Sequence, residues 1–90
     1  MRDFQYRLIK ICSLAGKEYF HIFPAQPFDK MPGDWKDLVI KDRHTKFVVI
    51  AFDDCDVTVF ISGRMLIENI PVGCEQRAHA IVKQIIKLWQ

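Results

Sequence analysis

The sequence predicts an α+β protein in which a curved antiparallel sheet has a long C-terminal helix and a shorter helix packed on one face. Three observations predict it. Aromatic and β-branched residues form runs of strand length, short turn segments separate these runs, and the last segment has the apolar spacing of a helix. Ninety residues suffice for one core and not for two, so we expect a single domain over 1–90.

The first two strands are expected to form a hairpin. The run 4–12 (FQYRLIKIC) is rich in aromatic and branched residues, and the run 18–23 (EYFHIF) follows after the short connection 13–16. Residues 24–33 include three of the four prolines. Because proline interrupts the hydrogen bonding of helices and strands, we predict an irregular segment there.

A short helix is predicted after this irregular segment. Asp34 is a candidate N-cap, and Asp37 suits the first turn of a helix. Trp35, Leu38 and Val39 have the spacing of one apolar helix face. The pattern predicts a helix of about two turns that ends near residues 43–44.

Three further strands are predicted to form an antiparallel meander. The runs 46–52 (KFVVIAF), 57–61 (VTVFI) and 65–70 (MLIENI) are joined by the turn segment 53–56 and the tight turn Ser62-Gly63. Connections this short favour antiparallel neighbours.

The final segment, after Pro71-Val72-Gly73, is the strongest helix signal in the chain. One apolar stripe at helical spacing consists of Ala78, Ile81, Val82, Ile85, Ile86 and Trp89. The resulting element order is β-β-α-β-β-β-α.

Both faces of the meander strands are apolar. Val48 and Ile50 alternate with Phe47 and Val49, and Phe60 interrupts the polar face of the next strand. A strand with one solvated face should alternate apolar and polar residues. Either the sheet has an exposed apolar surface, which usually marks an interaction site, or a helix packs on each face and no such surface exists.

Composition and charge exclude several classes of protein. The formal net charge of +2 is far from the strong basic excess of a typical nucleic-acid-binding domain. The chain shows no signal-peptide pattern and no apolar run long enough for a membrane span. Three cysteines without a C-x-x-C motif indicate reduced thiols. We therefore expect a cytoplasmic protein that does not contact a membrane.

No motif predicts catalysis, a metal or a cofactor. The acidic turn 53–56 (DDCD) lacks the spacing of a calcium loop, and the three histidines and three cysteines lack the spacing of a zinc site. Cys74, before the last helix, is the one cysteine whose position would favour a lowered thiol pKa, but such a cysteine more often only packs. The prediction is a protein that is not an enzyme and has no cofactor.

Residues 34–89 resemble one repeat of the TATA-box-binding protein family. The similarity lies in the strand 46–50 (KFVVI), the string 60–65 (FISGRM), which resembles the family's F-x-S-G-K-M, and Glu75-Gln76 at the start of a long helix. Residues 1–16 have no counterpart in the family's repeat and are interpreted as an added N-terminal strand. The resemblance implies a half-saddle fold, with a curved sheet and both helices on one of its faces.

The resemblance also implies a nucleic-acid-binding surface. The family's phenylalanines, which wedge between bases in the minor groove, match Phe47 and Phe60. Val49 and Leu66 match residues on the floor of the interface, and Arg64 matches a lysine that contacts phosphate. Because the family's saddle contains two repeats, a chain with one repeat is expected to form a homodimer that binds duplex DNA.

A second hypothesis uses the same surface without DNA. Asp53 and Glu68 replace residues that are basic and neutral in the family, and carboxylates repel phosphate. On this hypothesis the apolar sheet face binds a protein or a small apolar ligand, since a fold does not determine a function. Steep salt dependence of binding would favour DNA, and weak salt dependence would favour the apolar partner.

Overall fold

The computed structural model describes residues 5–89 of the chain. The predicted first strand began at Phe4, which lies outside the described residues. The strands are β1 (Tyr6–Leu14), β2 (Lys17–Pro24), β3 (Val39–Arg43), β4 (Phe47–Ala51), β5 (Asp56–Phe60) and β6 (Met65–Pro71), followed by helix α1 (Glu75–Ile86) and a short 3-10 helix, Lys87–Trp89.

All six strands belong to one antiparallel sheet with the order β1-β2-β6-β5-β4-β3. The predicted hairpin of β1 and β2 is confirmed, and so is the meander of β4, β5 and β6. Pairing of β2 with β6 joins the hairpin to the meander, which brings the two halves of the sequence into one sheet.

The short helix predicted from Asp34 is wrong, because this segment forms a turn and then strand β3. The Asp34 carboxylate accepts the backbone N–H of Lys36 at 2.8 Å, and Lys36 has a φ of 56°, which a right-handed helix cannot include. The β-branched pair Val39 and Ile40 then lies opposite β4. The apolar spacing that suggests a helix here comes from a turn and a strand in succession.

The core lies between one face of the sheet and α1. The sheet contributes the buried residues Phe20, Ile22, Val48, Ile50, Val57, Val59, Met65, Ile67 and Ile70, and the helix contributes Ala78, Ile81, Val82, Ile85 and Ile86. The predicted stripe of the last helix is confirmed for these five positions. Burial of this apolar surface is the main stabilising contribution to the fold.

The irregular segment between β2 and β3 packs beside α1 on the same face, where the second helix was expected. Phe28 stacks on Trp89 with ring centroids 4.7 Å apart, and the Trp89 indole donates a hydrogen bond to the carbonyl oxygen of Lys30. Trp35 is buried beside them. At Gly63 a Cβ atom would lie 2.5 Å from the Phe28 ring, so Phe28 packs directly on this glycine.

None of the helices within residues 5–89 is long and apolar enough to cross a membrane.

Candidate functional site

The sheet face opposite α1, called here the open face, has no helix against it in the described part of the chain. Along β4 to β6 the core-facing residues are buried and the alternate residues are half-buried. The alternative of a helix on each face is therefore wrong for residues 5–89. The favoured prediction, a partly apolar sheet surface that bears Phe47, Val49 and Phe60, agrees with this arrangement, and these three side chains are half-buried.

The five site residues predicted from the sequence lie together on or beside the open face. Phe47 lies opposite Phe60, with ring centroids 5.9 Å apart. The Arg64 guanidinium lies over the Phe60 ring at 4.5 Å from its centroid. Val49 and Leu66 both lie opposite Thr58, one on each side of it. Residues distant in sequence thus form one continuous surface.

The pairing of the strands extends the line of Phe47, Phe60 and Arg64 across the whole sheet. The His44 ring stacks on Phe47 with centroids 4.3 Å apart, and Arg7 lies opposite Phe23 at the same end of the β1–β2 hairpin. We call this line, at the end of the sheet where β4 begins, the aromatic row: Arg7, Phe23, His44, Phe47, Phe60 and Arg64.

Sequence reasoning missed Arg7, Phe23 and His44. The signal for Phe23 was the alternation along β2, where Tyr19, His21 and Phe23 occupy the face opposite to that of the buried Phe20 and Ile22. That alternation predicts which face of the sheet Phe23 occupies, but not which residue of the next strand lies beside it. Only the pairing of β2 with β6 places Phe23 near Arg64.

Basic side chains without a described anionic partner surround the aromatic row. Arg7 and Arg64 are exposed, as is Lys46 directly before β4, and none of the three forms an ion pair with another residue among 5–89. Arg43 is also exposed, but it lies opposite the core-facing Val48 and so belongs to the other side of the sheet. Burial and, to a smaller extent, the nearby Arg64 guanidinium lower the pKa of His21. The His21 and Phe23 rings are in contact, with their centroids 5.1 Å apart. At neutral pH His21 is therefore a neutral, flat surface beside the row.

A second row, toward the middle of the open face, is mainly apolar. Thr58 has Val49 on one side and Leu66 on the other, and the same line continues through His21 to Ile9 on β1. Asp42 ends the row on β3, where its carboxylate pairs with His44 at 2.9 Å.

The opposite end of the open face is acidic. Asp56 lies opposite Glu68, and Asp53 is exposed in the turn that follows β4. The Lys41 ammonium lies 3.1 Å from the Asp56 carboxylate, and Glu68 forms no ion pair with a described residue. We call the pair Asp56 and Glu68, with Asp53, the acidic end.

Of the remaining reactive groups, the exposed Cys12 lies opposite Tyr19 at the edge of the open face, whereas Cys55 is buried in the core and Asp54 is held by α1. Burial, followed by the neighbouring Asp54 carboxylate, raises the pKa of the Cys55 thiol to about 12, so this thiol stays protonated. Asp54 is held by Arg77 of α1 at 3.0 Å, which lowers the pKa of Asp54. Within residues 5–89 no group of three or more histidine, cysteine, aspartate and glutamate side chains is arranged to hold a metal ion.

Comparison of the chain with models of protein families, with curated proteins and with solved structures finds no match. The resemblance of residues 34–89 to a repeat of the TATA-box-binding protein family stays a prediction.

Proposed function

We propose that this protein binds nucleic acid on its open face, with unpaired bases stacked along the aromatic row. The observation behind the proposal is the line of aromatic rings and guanidinium groups that crosses the sheet, with Phe47, Phe60 and Arg64 at its centre. Aromatic side chains on a sheet surface are a recurrent platform for bases, because every base offers a flat face to an aromatic ring.

The geometry of the row suits stacking. The His44 ring lies nearly parallel to that of Phe47, at an interplanar angle of 26°, and the Arg64 guanidinium covers Phe60. The outer group of each contact, His44 or Arg64, is exposed, so the proposal places bases on these planar groups, which the half-buried rings beneath them support. Both phenylalanines are half-buried, so their orientations are held by neighbours before a ligand arrives.

The cations around the row supply the second requirement, which is attraction for phosphate. Arg7, Arg64 and Lys46 are free of described carboxylates, so their charge is available to a polyanion. If three of them contact phosphate, a roughly fourfold rise in salt would weaken binding to a single strand about 20-fold. The modest net charge of +2 does not oppose this, because the cations are concentrated at one end of the sheet.

Single strands are favoured over duplex DNA as the ligand. A wedge into a base step needs a protruding side chain, whereas Phe47 and Phe60 lie against each other and against His44 and Arg64. A homodimeric saddle on duplex DNA, which the resemblance implies, is the second form of the proposal and is tested beside the first.

A protein partner is the alternative function, and a different observation favours it. The second row is apolar, and the acidic end repels phosphate from half of the open face. A partner with an apolar stripe and a basic end would complement this surface.

A fluorescence-anisotropy titration distinguishes these functions. Labelled single strands, and A/T-rich and G/C-rich duplexes, are titrated with the protein at low and moderate salt, and Lys83→Gln on the exposed side of α1 is the matched control. We expect saturable, salt-sensitive binding that is tighter for the single strand and unchanged in the control. Tighter binding to the A/T-rich duplex would favour the saddle, and no binding at low salt would reject both nucleic-acid forms.

A further inference from the structure

The two edges of the sheet are protected to different extents. Strand β3 is five residues long, and three successive charged residues, Lys41 to Arg43, follow its first two positions. Strand β1 is nine residues long and exposes Ile9, Ile11 and Leu14, at 39%, 49% and 68% of their surfaces. Short edge strands with charged side chains resist pairing with another chain, and long apolar ones invite it. β1 is therefore the edge that is open to a further strand.

The charges on β1 do not block such pairing. Lys10 is drawn back toward its own molecule by the buried Glu18 carboxylate, 2.8 Å from its ammonium group. Arg7 remains as a charge without a described partner. A bulge lies between Lys10 and Cys12, so Tyr6–Lys10 is the regular stretch before it. The outward N–H and C=O groups of β1 have no strand partner within residues 5–89.

We propose that a second copy of this chain pairs with β1 in antiparallel orientation, about a two-fold axis perpendicular to the sheet. In this arrangement, two residues that lie opposite each other across the axis have their side chains on the same face of the sheet. The residue at the axis therefore lies opposite the same residue of the second copy. Arg7 opposite Arg7 and Lys10 opposite Lys10 would place like charges together, which is unfavourable. Tyr6 at the axis would pair most of the regular stretch with residues before it, which leaves Leu8 or Ile9 at the axis. Arg7 then lies opposite Ile9 of the second copy or, at the bulge, near its Ile11.

A second copy fits this edge because the symmetric pairing sets each cation of the stretch opposite an apolar residue and never opposite another cation. The stretch Tyr6–Lys10 is apolar at three of its five positions, counting Tyr6, and the symmetric pairing keeps its two cations off the axis. Two-fold closure also ends the assembly at two copies, because β3 is protected.

This pairing would lengthen the proposed binding surface, a consequence that rests on the proposed function although the pairing itself does not. The axis is perpendicular to the sheet, so both open faces lie on the same side of a single twelve-stranded sheet built from two six-stranded ones. Arg7, at the β1 end of each aromatic row, lies near the axis, so the two rows meet there. A single strand long enough to reach both rows should bind more tightly than a short one, because the second contact is intramolecular.

Sedimentation equilibrium without nucleic acid tests the pairing by a matched pair of substitutions. Ile9→Lys places like charges together in both registers, opposite its own copy or opposite Arg7, whereas Val39→Lys puts the same charge on the edge strand β3. We expect the wild type and Val39→Lys to have twice the mass of the chain, and Ile9→Lys to dissociate at least about tenfold more readily. A wild type that stays monomeric at high micromolar concentration, or an unchanged Ile9→Lys variant, would overturn the proposal.

A distance measurement tests the register. Cys12 is exposed and Cys55 is buried, so in a Cys74→Ser variant a spin label attaches at Cys12. At about 3.3 Å per residue, the two Cys12 backbones lie about 20 Å apart with Ile9 at the axis and about 26 Å apart with Leu8 there. A dipolar distance far above this range contradicts β1 pairing. The Phe47→Ala/Phe60→Ala variant should remain dimeric, so failure of nucleic-acid binding and failure of pairing are separate results.

Discussion

The two ends of the open face have the same backbone and opposite chemistry. At one end, aromatic rings stack beside cations that have no described carboxylate partner, and at the other Asp56 lies opposite Glu68. Phe47, Phe60, Asp56 and Glu68 are all half-buried, so the two ends differ in chemistry rather than in exposure. It indicates that a charged ligand would be oriented along the strands, with its anionic part at the aromatic row.

The largest expected effect is the loss of the central rings of the aromatic row. Phe47→Ala with Phe60→Ala should weaken binding of a single strand about 30-fold or more, because stacking contributes about 1–3 kcal/mol per base. Both side chains face away from the core, so the protein should remain folded by circular dichroism. The control is Val49→Ala with Leu66→Ala in the second row, for which anisotropy titration should show a smaller loss. An equal loss in both variants would contradict the role of stacking.

Removal of the guanidinium over Phe60 should have the next largest effect. Arg64→Ala removes both a cation–π contact and a charge that faces the ligand, and we expect binding about fivefold to tenfold weaker. Arg64→Lys keeps the charge and loses the flat stack. The slope of log affinity against log salt separates the two contributions, since it should fall by about 0.7 in Arg64→Ala and stay unchanged in Arg64→Lys. A slope that Arg64→Ala leaves unchanged would show that Arg64 does not meet phosphate.

Neutralising the acidic end should tighten binding slightly. Glu68 lies four residues along the chain from Arg64, about 13 Å at about 3.3 Å per residue. A charge at that distance in water contributes about 0.3 kcal/mol, so Glu68→Gln is expected to raise affinity for a single strand by less than about twofold. Glu75→Gln, at the first turn of α1, removes the same charge away from the open face and is the control. If Glu68→Gln weakens binding, the ligand contacts the acidic end, and a protein partner becomes the better proposal.

The smallest expected effect on binding is that of Glu18. Its carboxylate lies near the acidic end but on the core-facing side of the sheet. Glu18 is 3% exposed, and its carboxylate contacts the Lys10 ammonium, the Gly73 N–H and the Ser13 hydroxyl. The hydrogen bond from Lys10, followed by that from Gly73, lowers the pKa of Glu18. Because the pKa of Glu18 is lower in the folded protein than in the unfolded chain, the ionised carboxylate stabilises the fold. This stabilisation is present above the unfolded-state pKa and is lost as the pH falls through the lower folded-state pKa.

Glu18→Gln should therefore leave affinity unchanged and lower the urea midpoint of unfolding near pH 7. The difference between the wild type and this variant should shrink as the pH approaches about 3. A difference that is constant over this range would mean that the charge of Glu18 does not contribute to the stability of the hairpin.

Much of the fold could be predicted from the sequence, because its signals are local. The β-branched runs gave four strands beside the first, and the stripe through Ile81 and Ile85 gave the last helix. The segment after Asp34 could not be predicted in this way. Trp35 precedes Lys36 and Leu38 follows it closely, and the positive φ of Lys36 makes a turn between them. The spacing of apolar residues does not reveal such a turn.

The candidate site could be predicted only where its residues lie on strands adjacent in sequence. Phe47 and Phe60 lie on consecutive strands, so their pairing follows from the short turn between them. Phe23 and Arg7 join the row through the contact of β2 with β6, which links residues far apart in sequence. Local patterns do not contain that register.

The most direct test of a nucleic-acid-binding open face is a ¹⁵N–¹H correlation spectrum of the protein, recorded during titration with a short single-stranded oligonucleotide. We predict saturable shifts in the amides of His44, Phe47, Phe60 and Arg64 and near Phe23, with small shifts at Glu68 and none along the exposed side of α1. Shifts centred on α1 or on the acidic end, or no shifts at low salt, would contradict binding at the aromatic row.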